Sequence, residues 1–176
     1  ATILAASGLD YPLGRASWFT QNFSESFLLD PLLAGEVALP MSEAEIPFVD
    51  ADDIAEVVTK VLLDDSFNGQ TVTVTGPQKL TFKQVVETIA LETKRKINFQ
   101  AISIDEFSQA MKADGLPDDY VWLFTYLFKE VLGNPENQQV SNDIERVLGR
   151  KAISFSEYVQ KTAATDLWHQ AIPQTL

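Results

Sequence analysis

The sequence predicts an α/β domain built in layers, and three observations predict it. Strand-like and helix-like stretches alternate from Leu9 to Ile102. One run, Gln70 to Gly76 (QTVTVTG), alternates polar and apolar residues with period two, as a half-buried strand does. Apolar stripes of helical period follow directly on capping residues at Asp50 and Thr81. Strands alternating with helices are the signature of a sheet covered by helices.

Taken in order, residues 1–8 read as the end of a helix that stops at Gly8. Leu9–Ala16 reads as a short strand, weakened by Pro12 and Gly14. The spacing of Phe23, Phe27, Leu28 and Leu32 predicts a helix from about Ser17 to Leu33, which Pro31 bends or ends. Gly35–Pro40 is a further short strand, and Ser42–Glu45 a loop. Ile46–Val49 reads as a strand. Asp50 then caps a helix with Asp53 at its third position, and Ile54, Val57, Val58, Val61 and Leu62 form its apolar face. Asn68-Gly69 marks the turn into the alternating strand, which Gly76-Pro77 ends.

Thr81 and Gln84 make a capping box ahead of a helix whose stripe is Phe82, Val85, Val86, Ile89 and Ala90. Ile97–Ile102 is the last strand, and beyond Ser103 the pattern is helical. Ser103 and Glu106 open a helix that stops at Gly115. An aromatic helix runs from about Asp118 to Leu132, with Tyr120, Val121, Leu123, Phe124, Leu127, Phe128 and Val131 as its apolar set, closed by Gly133 and Pro135. Asn142–Leu148 is a short helix ended by Gly149. Ser154 and Glu157 start a final helix to about Trp168. The chain thus divides into an α/β part, 1–103, and a mainly helical part, 104–176.

Composition narrows the function. The 176 residues suit one globular domain, with 45% hydrophobic and 22% charged residues. A net charge of −12 repels phosphate backbones and argues against nucleic acid as a partner. The absence of cysteine removes disulfides, thiolate metal sites and a cysteine nucleophile, and fits a reducing cytoplasm. No run approaches the roughly 20 apolar residues of a membrane span. The chain begins at Ala1 in an apolar pattern, which reads as a processed chain or a piece of something longer.

The eight glycines form neither a G-x-G-x-x-G turn nor a P-loop, so no backbone cradle for a diphosphate is visible. No Tyr is followed four residues later by Lys. His169 is the sole histidine, near the C-terminal end, and takes a structural or solvent role. The run Asp50–Asp53 (DADD) has two readings: helix capping, or oxygen ligands for a divalent cation. The aromatic stripe at 120–131 reads as core, as the wall of an apolar pocket or as a subunit contact. Trp18 and Phe19 also have two readings, core or ligand wall. Their place, where a strand gives way to a helix, is where open α/β sheets hold ligands.

Three segments together resemble the NmrA-like proteins, an atypical branch of the short-chain dehydrogenase superfamily: ASGLDYPLGRASWFTQNFSE at 6–25, PFVDADDIAEVVTKVL at 47–62 and TVTVTGPQKLTFKQVVETIA at 71–90. YPLGRA departs from the family's YTILRP. The resemblance implies a Rossmann-like three-layer domain, with 1–103 as its C-terminal part and 104–176 as a helical substrate cover. It implies NAD(P)(H) as cofactor of the complete protein, with Trp18, Phe19 and Asn22 beside the cofactor and Phe124 and Phe128 in the substrate pocket. It implies reduction of a small molecule such as a quinone or azo compound, or alternatively a redox-sensing regulator that binds a protein partner. The family's glycine-rich N-terminal half has no counterpart here. This chain alone is therefore expected to be inactive and to hold no dinucleotide tightly, and an incomplete sheet calls for a homo-oligomer or for the absent half as partner.

Overall fold

Two pairs of parallel strands carry the α/β fold in the computed structural model, which describes residues 6–169. β1 (Leu13–Ala16) pairs with β3 (Thr71–Val74) in the register Leu13↔Thr71 to Ala16↔Val74. β2 (Glu36–Leu39) pairs with β4 (Asn98–Ala101), from Glu36↔Asn98 to Leu39↔Ala101. The expected strand at Ile46–Val49 contributes only isolated bridges, Ile46 to Leu80 and Val49 to Phe19. Pro47 has no N–H to donate, and the Phe48 N–H turns back to the Ile46 carbonyl at 3.0 Å, so no continuous ladder forms.

The expected helix at 17–33 is two pieces. Residues 17–19 run extended, Thr20–Phe23 forms a 3₁₀ turn, and α1 spans Leu29–Ala34. Pro31 sits in the first turn of α1, where no intrahelical donor is required, so it belongs to the start of a helix and does not end one. The end of a helix expected at 1–8 falls largely outside the described residues, although Gly8 adopts the left-handed φ of +72° of a helix stop.

The remaining helices are α2 (Ala51–Leu62), α3 (Phe82–Thr93), α4 (Ile104–Ala113), α5 (Asp118–Tyr126), α6 (Asp143–Leu148) and α7 (Phe155–Ala163). The capping boxes at Thr81, Ser103 and Ser154 all close, each with both of its reciprocal hydrogen bonds. α5 runs on as a π-helix, Leu127–Leu132. None of the described helices is long and apolar enough to cross a membrane.

A ring cluster of Phe23, Phe48, Phe82, Phe128 and Phe155 fills the larger core, mostly edge-to-face or tilted with centroids 5.5–6.4 Å apart. A smaller core lies under α2 and α6, around Val57, Val61, Val72, Val74, Ile144 and Val147. The apolar face of α2 is narrower than its sequence predicts: Val57 and Val61 are buried, but Val58 and Leu62 are exposed. The aromatic stripe thins likewise, because Tyr120 and Leu123 face solvent while Val121 and Phe128 are buried. β1 has no partner on its second edge among the described residues, and Gly14–Ala16 are exposed.

The start of α2 ties distant segments together. Asp50 caps it, accepting from the Asp52 N–H at 2.9 Å and from Gln21 Nε2 at 3.0 Å, while Gln21 Oε1 accepts from the Ala51 N–H at 2.9 Å. Asp53 is fully buried; its Oδ1 meets Arg150 at 2.6 Å and its Oδ2 accepts the Ile153 N–H at 2.8 Å. On the other side of this layer, the Asp143 carboxylate accepts the Thr73 N–H at 2.7 Å and so satisfies the outer edge of β3.

Asp53→Ala is expected to cost about 3 kcal/mol, because it orphans the Ile153 N–H and unpairs Arg150, and Asp53→Asn to cost less. Urea titrations of the three proteins check this. Burial acts to raise the Asp143 carboxyl, but the Thr73 N–H, Arg146 and Ser141 together outweigh it and hold it below its ordinary 3.8. Its stabilisation is therefore complete above 3.8 and is lost as pH falls through the lowered folded value. Unfolding midpoints measured on the acid side should fall less steeply for Asp143→Asn than for the parent chain.

Candidate functional site

The junction after β1 keeps its strand-like course by borrowing partners. The Ser17 N–H reaches the Val74 carbonyl at 2.9 Å, the Val49 N–H reaches the Trp18 carbonyl at 2.9 Å, and the Thr20 N–H returns to the Val49 carbonyl at 2.9 Å. Residues 17–20 are thereby held against both β3 and the lead-in to α2. With Gln21 latched to Asp50 and Ala51, the junction is fixed at both ends.

A cleft of about 610 Å³ opens at the carboxyl ends of β1 and β3. Arg15, Ser17, Trp18 and Thr75 line it from the strands, Gln138 and Ser141 from the facing loop. Leu127 and Val131 of the π-helix form an apolar wall. The π-turn closes through the Gly133 N–H to the Phe128 carbonyl at 3.1 Å, and a Cβ at Gly133 would collide with the Lys129 carbonyl oxygen. The Val131 and Leu132 carbonyls, left unpaired because the helix ends at Leu132, accept from Asn137 Nδ2 at 3.0 Å and Gln138 Nε2 at 2.7 Å. The end of the helix thus forms the wall and seats the loop. The Ser141 N–H donates to Thr75 Oγ1 at 3.0 Å, closing the loop onto the end of β3.

Trp18 is the centre of this site. Its ring packs against Phe128 at 5.6 Å and Phe82 at 6.5 Å. Its indole N–H is buried without a hydrogen-bond partner, an uncommon state for a donor that indoles usually satisfy.

The other residues marked in the sequence do not gather around one cavity. Phe19 is exposed, and its backbone makes the bridge to Val49. Asn22 is half-buried, and its carboxamide has no hydrogen-bond partner among the described residues. Phe128 is fully buried behind Trp18. Phe124 lines a second cavity and packs on Phe27 at 4.8 Å. Ser17, Thr75, Gln138 and Ser141 went unmarked; Thr75, the last polar residue of the alternating strand before Gly76, carried the one visible signal.

Asp50 and Asp53 give their oxygens to protein donors, and no group of residues suited to a metal ion exists among the described residues. Capping accounts for Asp50. Asp53 does something the sequence did not disclose, reaching across to Arg150 and Ile153. The C-terminal segment is anchored through residue 169: Trp168 is fully buried with its Nε1 on the Phe23 carbonyl at 2.9 Å, and His169 Nε2 lies 3.0 Å from the Thr93 carbonyl. Burial pushes the Tyr158 phenol up to about 12, and this residue lines neither cavity.

Comparison with known proteins fits this architecture. Among solved structures, the chain resembles an NADPH-dependent quinone oxidoreductase, QOR2, from Escherichia coli, with a TM-score of 0.78 and 21% identity over 91% of this chain and 57% of that one. It also resembles the triphenylmethane reductase of Citrobacter sp. complexed with NADP(H), with a TM-score of 0.77 and 16% identity over 92% and 56%. These likenesses establish a Rossmann-like α/β fold. In sequence it is 31% identical to the uncharacterized oxidoreductase YesF of Bacillus subtilis, over 88% of this chain and 54% of that protein. It is 30% identical to the NAD(P)H azoreductase of Xenophilus azovorans, over 74% and 45%. The chain spans about half the length of the relatives it matches. The family pattern itself runs through residues 6–163, and on that match the chain belongs to the NmrA-like family.

Proposed function

We propose that this chain forms the nicotinamide-side wall and the substrate side of an NAD(P)H-dependent oxidoreductase that reduces a small electrophile such as a quinone or an azo compound. The observation that carries the reading is a cleft at the carboxyl ends of two parallel strands, walled by Trp18 on one side and by Leu127 and Val131 on the other. The cofactor would supply the hydride, and solvent the proton. Trp18 offers its ring, the Ser17 hydroxyl an adaptable hydrogen-bonding group, and Leu127 and Val131 exclude water. Asn22, with its carboxamide free, and the exposed ring of Phe19 are the further contacts offered to the cofactor. Phe128 holds the Trp18 ring from behind. The residues fit the ring end of a dinucleotide and not its diphosphate, since the chain has no glycine-rich turn. That grip would come from residues outside this chain, as a second copy lacks the same turn.

A second reading, a redox-sensing regulator, is favoured by the solvent-facing aromatics of α5. Trp122 and Tyr126 stack at 5.6 Å and 15°, with Tyr120 exposed nearby.

The test compares this chain with the same chain preceded by whatever its reading frame encodes upstream of Ala1. Loss of reduced-nicotinamide absorbance with quinone and azo acceptors is expected from the longer protein and not from residues 1–176. Cofactor binding without turnover of any such acceptor favours the regulator, and tight NADPH binding by residues 1–176 alone overturns the wall assignment. Trp18→Phe keeps the ring contacts and removes the orphan donor. Unliganded stability should hold or rise by about 1 kcal/mol, while NADPH affinity of the longer protein falls several-fold in a fluorescence titration.

A further inference from the structure

A second cavity, of about 320 Å³, shares no lining residue with the cleft. Phe128 is packed against Trp18, which lines the cleft, and at 4.9 Å against Phe107, which lines the second cavity. One buried ring therefore stands between a wall of each. The size falls within the roughly 300–1,000 Å³ typical of small-molecule sites.

The lining is apolar and aromatic. Phe27 and Phe124 meet edge-to-face at 4.8 Å, Phe107 closes one side, and Met111 supplies an adaptable surface. The charged groups lining it are two carboxylates, Glu36 and Asp114, and no Lys, Arg or His is among the lining residues. Asn98 Nδ2 donates to Glu36 Oε1 at 2.7 Å across the β2–β4 register, which fixes the carboxylate and leaves its other oxygen open. Asp114 is the C-cap of α4, at the negative end of that helix, and its carboxylate has no hydrogen-bond or ion-pair partner among the described residues. Lys112, in the last turn of α4, does not line the cavity.

Aromatic faces and carboxylates both favour positive charge, and both disfavour an anion. The protein's net charge of −12 adds a long-range field of the same sign. We propose that this cavity binds a compact apolar organic cation, a single ammonium or delocalised charge carried on an aromatic or alicyclic body. Its body displaces water from among Phe27, Phe107, Phe124 and Met111, and its charge lies at the mouth between Glu36 and Asp114.

The test uses auramine O, a compact cationic dye that fluoresces when immobilised, with the apolar anion 1-anilinonaphthalene-8-sulfonate as comparator. The full chain is expected to bind auramine saturably at one site and the anion at least about tenfold more weakly. Ala110 lines the cavity from an exposed position on α4, so Ala110→Trp fills the space with little strain on the core, and should weaken auramine binding by tenfold or more. The pair Glu36→Gln with Asp114→Asn leaves the volume intact and should weaken it by about fivefold while strengthening the anion. If Ala110→Trp fails to fold, as judged by circular dichroism, the carboxamide pair decides alone. Auramine affinity indifferent to the carboxamide pair overturns the proposal, as does affinity that falls with Trp18→Phe, which would place the dye in the cleft.

Discussion

Two buried carboxylates on the first turn of α2 hold this structure together. Asp50 and Asp53 are both nearly inaccessible to water, so each must find donors within the protein or pay heavily for its charge. The helix supplies some of that compensation through its amino-terminal dipole. The rest is drawn from afar. Asp50 recruits Gln21, and with it the junction that presents Trp18; Asp53 recruits Arg150 and the backbone ahead of α7. A single helix start thus sets the position of the cleft's central residue and of the C-terminal helix.

The aromatic core does complementary work. Phe82, on α3, touches Phe23, Phe48, Phe128 and Trp18, so the rings of four segments meet at one side chain. Arg95 extends the same logic with hydrogen bonds, giving its guanidinium to the Leu32, Leu33 and Trp168 carbonyls at 2.6–3.1 Å. The Leu33 carbonyl is satisfied in this way, the Leu32 carbonyl gains a second donor beside the Gly35 N–H, and the segment beyond α7 is pinned to them. Both cavities rest on this scaffold: Phe82 and Phe128 hold the Trp18 ring at the cleft, and Phe128 also meets Phe107 at the second cavity.

Local chemistry was legible in the sequence and long-range chemistry was not. The three capping boxes, the Asp50 cap and the alternating strand each depend on residues within a few positions of one another, and each forms. The family was legible as well, from three segments in order. The helix expected over 17–33 breaks into a 3₁₀ turn and a short helix, yet Phe23, Leu28 and Leu32 still enter one core, so the apolar spacing reported burial and not a continuous helix. Asp53 looked like a second capping residue because its partners lie about a hundred positions away. Trp18 was marked by its place at a strand end, but its missing hydrogen bond is a property of burial that no spacing reveals. The loop at 134–141 was overlooked because its amides gain a role only where the chain folds back onto the last two carbonyls of the preceding helix.

The separation between Asp53 and its partners has a bearing on how the chain is made. Synthesis runs from the amino end at about 5–20 residues per second, so Asp53 leaves the ribosome on the order of 5–20 seconds before Arg150 and Ile153. Through that interval α2 has its cap and its apolar face but not the donors that make burial of Asp53 tolerable. Burial of Asp53 therefore waits until residues 150–153 have been made.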